Sequence, residues 1–115
     1  MTEQEVFDTV AKHLLAQGAR SKSGGECAYR GDGGLKCAVG CLIADSDYVK
    51  DMEGLIVHDL LEHYSAPSLE PIRQHKPLLL RLQHLHDVGK PGEWVVTLRW
   101  LAEEYNLSPA VLEDA

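Results

Sequence analysis

The stretch Cys27-Ala28-Tyr29-Arg30-Gly31-Asp32-Gly33-Gly34-Leu35-Lys36-Cys37-Ala38-Val39-Gly40-Cys41-Leu42-Ile43 interrupts the helical rhythm that the chain shows on either side of it. It holds all three cysteines within fifteen residues. Two short runs, 26–30 and 35–38, flank Gly31-Asp32-Gly33-Gly34, and a Gly/Asp turn between short runs predicts a β-hairpin. Two strands alone are marginal in water, so the ribbon must lie against helices. Residues 38–43 read equally as a strand continuation or a short buried helix, since six residues are too few for periodicity to decide.

On the N-terminal side, Thr2 followed by Glu5 has capping-box spacing. Val6, Phe7, Val10, Ala11, Leu14 and Leu15 then share one helical face, and Gly18 ends the helix. Residues 19–25 read as a polar loop. On the C-terminal side, Asp45-Ser46-Asp47 has the short polar residues and acids of a helix start. A helix is expected over about 54–64, with Leu55, Leu60 and Leu61 inward. Pro71 and Pro77 leave room only for a short turn between them, and Pro77 fits the first turn of a helix carrying Leu78, Leu79, Leu82 and Leu85 up to Gly89. Trp94, Leu98, Leu101 and Tyr105 form a further amphipathic stripe. Asn106 suits a left-handed cap, and Ser108-Pro109 opens a short terminal helix. The expectation is a mainly α (α+β) fold in a single globular domain over 1–115. It has about five helices with one small two-stranded hairpin packed against them.

Composition narrows the function. The 115 residues are 44% apolar and 25% charged, which is the balance of a globular domain able to bury its own core. Eighteen acids against eleven bases give a net charge of −7. Nucleic-acid binding needs clustered Lys and Arg, so it is not expected. The longest leucine run, residues 78–80, is far too short to span a bilayer. Met1-Thr2-Glu3-Gln4-Glu5 is acidic where an export signal is basic, and an odd number of cysteines suits reduced thiols. These features predict a cytoplasmic protein.

The chemistry-bearing residues lack the patterns that reactions need. The cysteines are spaced C-x9-C-x3-C without a C-x2-C knuckle. A zinc site would have to draw on Cys27, Cys37 and Cys41 with His58 or His63 as the fourth ligand. Small buried thiols are the simpler reading. A cysteine enzyme built on Cys37 or Cys41 would also need a histidine base, and no spacing designates one. His84 and His86, two apart, face different sides of a helix. Asp45, Asp47, Asp51 and Glu53 fail as a calcium loop, because Val49 and Lys50 stand where a ligand and the glycine belong. Gly31-Asp32-Gly33-Gly34 lacks the spacing of a phosphate loop. No catalytic residue and no cofactor are assigned. Trp94 and Trp100, six apart, cannot both face the core squarely, so they are the candidate partner anchors, with Asp45 and Asp47 as secondary candidates.

The segment Cys27-x-Tyr29-Arg30-Gly31 through Gly34-Leu35-Lys36-Cys37-Ala38-Val39-Gly40-Cys41-Leu42-Ile43, followed by Tyr48 and Met52-Glu53-Gly54, resembles a family of small proteins encoded by phages, prophages and proteobacterial genomes. Val6-Phe7-Asp8 and Leu82-Gln83-x-Leu85-His86-Asp87 belong to the same resemblance, which therefore covers most of the chain. It implies a mobile-element setting and no catalysis. The expected role is an accessory protein, monomeric or homodimeric, that binds and modulates a macromolecule of a bacterial host.

Overall fold

A computed structural model describes residues 1–113 and contains five α-helices and one two-stranded antiparallel sheet. Helix α1 (Glu3–Gln17) begins at Thr2. The Thr2 hydroxyl accepts the Glu5 N–H at 3.1 Å, and the Glu5 carboxylate accepts the Thr2 N–H at 2.8 Å. Gly18, at φ 65°, turns the chain out of the helix in the left-handed conformation that glycine adopts without strain. Val6, Phe7, Val10, Ala11 and Leu14 are buried along one face.

The sheet lies earlier in the chain than the turn chemistry at 31–34 predicts. Strand β1 (Lys22–Ser23) pairs with β2 (Glu26–Cys27) around Gly24-Gly25, with Lys22 opposite Cys27 and Ser23 opposite Glu26. Of the expected ladder between 26–30 and 35–38, a single bridge between Arg30 and Lys36 forms. The reason is a competing acceptor. The N–H groups of Tyr29 and Arg30 donate to the Glu53 carboxylate at 2.9 and 3.0 Å, and that of Tyr29 is thereby withheld from the 35–38 run, while Gly31 N–H keeps its bond to the Leu35 carbonyl. Residues 38–43 take the helical alternative, as a single 3-10 turn over Gly40–Leu42.

Asp45-Ser46-Asp47 starts no helix. The Asp47 carboxylate accepts both the N–H and the hydroxyl of Ser68, at 2.9 and 2.6 Å, and so clips two loops together. Helix α2 (Val57–His63) buries Val57, Leu60 and Leu61. The four-residue α3 (Glu70–Arg73) carries Pro71 in its first turn and buries Ile72. Helix α4 (Lys76–Val88) opens with Pro77 in its first turn and ends before Gly89. Helix α5 (Trp94–Glu104) buries Trp94, Leu98, Leu101 and Ala102. Asn106 follows in the left-handed region, at φ 55°.

Helix α4 is the central strut, packed against α1, α2 and α5. The buried apolar side chains form one cluster that takes residues from every helix and from Tyr29, Cys37, Ala38, Val39 and Ile43. The Cα radius of gyration is 13.2 Å, close to the roughly 13 Å of a compact chain of this length. Among the described residues no helix is long and apolar enough to cross a membrane.

Candidate partner-binding cleft

The cysteine-bearing segment is tied down on both sides of its exposed 32–34 turn. Glu53 holds the N–H groups of Tyr29 and Arg30, and its second oxygen also accepts the Tyr48 hydroxyl at 2.6 Å. The Tyr29 hydroxyl donates to the Leu55 carbonyl at 2.6 Å. Arg30 donates to the carbonyls of Gly40 and Ile43 at 2.6 and 2.7 Å, while its guanidinium lies over the Tyr48 ring, 4.9 Å from the centroid. Gln17 at the end of α1 receives the Lys36 N–H and donates to the Lys36 carbonyl. Two glycines permit the close approach. A β-carbon on Gly31 would lie 2.7 Å from the Lys22 nitrogen, and one on Gly40 would collide with the Tyr29 carbonyl.

The thiols share this fate. Cys37 Sγ accepts the Gly40 N–H at 3.3 Å, and Cys41 Sγ donates to the Ala38 carbonyl at 3.0 Å. Burial pushes both thiols up to about 12. Cys27, partly exposed, is raised as well, by burial first and then by the negative charge of Asp87. The attacking form of a cysteine is the thiolate, and burial disfavours it at Cys37 and Cys41, which makes both poor nucleophiles at neutral pH.

Cys27, Cys37, Cys41 and His58 do not converge. His58 Nδ1 lies 2.7 Å from Lys76 Nζ at the surface. Among the described residues the one trio of metal-capable side chains is Cys27, His86 and Asp87, whose ligand atoms lie within 4.8 Å of one another. His86 is fully buried, and both of its ring nitrogens are in use. Nε2 accepts the Ser21 N–H at 2.9 Å, so the proton of the neutral ring sits on Nδ1 and is donated to Asp87 at 2.8 Å. A metal on Nδ1 would move that proton to Nε2 and set two N–H donors against each other. The trio therefore fits an internal brace between the Ser21 loop and α4 rather than a metal centre.

The candidate anchors separate. Trp94 is buried and stacks on His86 with the ring centroids 5.8 Å apart, so the expectation of Trp94 as a surface anchor is corrected by its burial. Trp100 is 67% exposed, one turn beyond the exposed Val96. Asp45 stands in solvent 3.0 Å from Arg30 and 3.6 Å from Lys36, and Asp47 is engaged by Ser68.

Against the tied segment lies an open cleft of about 390 Å³, walled by 26–29, Cys37, 53–57 and the 80–87 face of α4. Its rim carries Ile56, 65% exposed, and Leu80, 40% exposed. The lining includes Glu26, Glu53 and Asp87 and no lysine or arginine. Asp87 is fixed on one oxygen by Gln83 Nε2 at 2.9 Å and by His86. Gln83 in turn accepts the Val39 N–H at 3.0 Å. A second hollow of about 330 Å³ continues past Glu26 and Glu53 to Arg30, Tyr48 and Lys50.

No spacing along the chain announces this cleft, because its walls come from three distant segments. Ser21 carries no signal in the sequence, whereas Glu53 stands in Met52-Glu53-Gly54 and Gln83, His86 and Asp87 in Leu82-Gln83-x-Leu85-His86-Asp87, runs that mark a resemblance but no role. Compared with protein-family models, curated proteins and solved structures, the chain matches none.

Proposed function

We propose that the chain is a small accessory protein of phage or prophage type that binds a protein of its bacterial host in the cytoplasm and modulates it without chemistry of its own. The observation that carries this reading is the open cleft rimmed by Ile56 and Leu80, next to a segment whose thiols and polar groups are already committed. Large apolar side chains left in water around a concavity are what a protein interface uses for its anchors. The net charge of −7 opposes nucleic acid as the partner and suits steering toward a basic protein surface.

The test is co-purification from a bacterial host with tagged wild-type chain and with the double variant Ile56→Asp, Leu80→Asp. Both positions are exposed, so the variant keeps its fold, which thermal unfolding verifies. Wild type is expected to retain a host protein in near-equal amount and the variant to lose it. Identical recovery with both chains, or no retained protein, contradicts the reading.

A further inference from the structure

We propose that the cleft receives one lysine or arginine side chain from an extended segment of the partner protein, its cation meeting Asp87 and Glu26 while Ile56 and Leu80 cover its aliphatic stem. This rests on the protein-binding reading above and names the chemistry of the contact. The cleft, at about 390 Å³, lies at the small end of ligand-sized concavities, roughly 300–1,000 Å³, and suits a single long side chain.

Charge complementarity selects the occupant. Three carboxylates line the cleft against one histidine, His84, and no lysine or arginine. Glu53 is spent on Tyr29, Arg30 and Tyr48. Asp87 has one oxygen pinned by Gln83 and His86, with the neutral Cys27 thiol close by, and no cation pairs with it among the described residues. Glu26 is exposed and has no ion-pair partner among the described residues. An acceptor already held in place loses little freedom on binding, and a partly desolvated ion pair outweighs a fully exposed one. The apolar rim then distinguishes Lys and Arg, which carry methylene stems, from a small cation. Arg30 and Lys50 at the far hollow repel a second cation, so the preference belongs to the end beside Asp87.

The experiment is an NMR titration of the isotope-labelled full chain with blocked pentapeptides. Alanine and serine flank a central lysine, arginine, norleucine or glutamate, and spermidine serves as a free cation. The lysine and arginine peptides are expected to shift amides of 26–29, 53–57 and 80–87, more weakly at high salt. Norleucine should bind about tenfold more weakly, the scale of a lost charged hydrogen bond. Glu26→Gln should weaken the lysine peptide with the remaining spectrum unchanged, and Asp87→Asn should weaken it with added shifts only around its bracing partners Gln83, His86 and Ser21. Equal binding of norleucine and lysine, or no cleft shifts, overturns the proposal. So does tighter binding of spermidine, or concentration-dependent shifts without peptide, which would mark a second copy of the chain as the occupant. If the peptides fail while the Ile56/Leu80 variant still loses the host protein, this inference falls and the protein-binding reading stands. If the peptides bind and no host protein is recovered, the cleft's preference stands and the reading of function falls.

Discussion

At Gly40 a β-carbon would strike the carbonyl oxygen of Tyr29 and stand 3.1 Å from its α-carbon. Both are backbone atoms of a segment anchored by Glu53, so the neighbour cannot yield by rotating a side chain. Gly40→Ala is therefore expected to cost about 2–3 kcal/mol, the upper part of the overpacking range. Gly92 is the control: nothing lies within 4 Å of its β-position, and Gly92→Ala should stay within about 0.5 kcal/mol. Urea unfolding of the two variants measures the difference, and equal stabilities would contradict the close approach. The same scale explains the cysteines. Their sulfurs take part in short-range contacts with Gly40 and Ala38 that an apolar residue of similar size would nearly reproduce.

Among the elements, the segment 27–43 stands out because a side chain, not a strand, organises it. Glu53 takes two successive backbone donors, of which a hairpin would have paired one, that of Tyr29. Glu53→Ala leaves both without acceptors, and with about 1–3 kcal/mol per orphaned group the loss should reach about 2–4 kcal/mol. Amide exchange at Tyr29 and Arg30 should accelerate while the amides of α1 stay protected; unchanged exchange at those two residues would refute the role given to Glu53. This long-range acceptor is also why the hairpin was not legible where it forms. Helices α1, α4 and α5 were, because their apolar periodicity, the Thr2–Glu5 box, Pro77 and Gly89 act within a turn or two. The partner of Tyr29 and Arg30 lies more than twenty residues away, and that of Asp47 lies at Ser68, so local patterns could not place them. The cleft has no local signature for the same reason, its walls being joined only by the tertiary fold. Trp94 and Trp100 could be told apart as to facing only once α5 was docked on α4.

For the whole molecule, the buried Cys37 thiol and the half-buried Cys41 thiol set a pH limit. Their ordinary value is 9.0, and in the folded chain Cys37 and Cys41 are pushed up to about 12. Above about pH 9 the unfolded chain releases these protons while the folded chain keeps them, so the unfolded state binds fewer protons and stability falls as pH rises. The contribution is fully present below pH 9 and is lost progressively toward pH 12. Denaturant midpoints measured from pH 7 to 11 should decline in the upper half of that range, and the Cys37→Ala, Cys41→Ala double variant should decline less. A midpoint independent of pH in the wild type would contradict the burial of these groups. The surface tells the complementary story. With the thiols, Arg30 and Glu53 turned to internal use, what faces solvent is an acidic exterior broken by the Ile56–Leu80 rim and Trp100.

That the cysteine segment is packing and not a reaction centre is tested most directly by alkylation of the native protein with iodoacetamide at pH 8, followed residue by residue by mass spectrometry. Cys37 and Cys41 are expected to remain unmodified until denaturant unfolds the chain, with Cys27 modified slowly. Modification of Cys37 or Cys41 in the folded protein at the rate of a free thiol, or faster, would contradict the account.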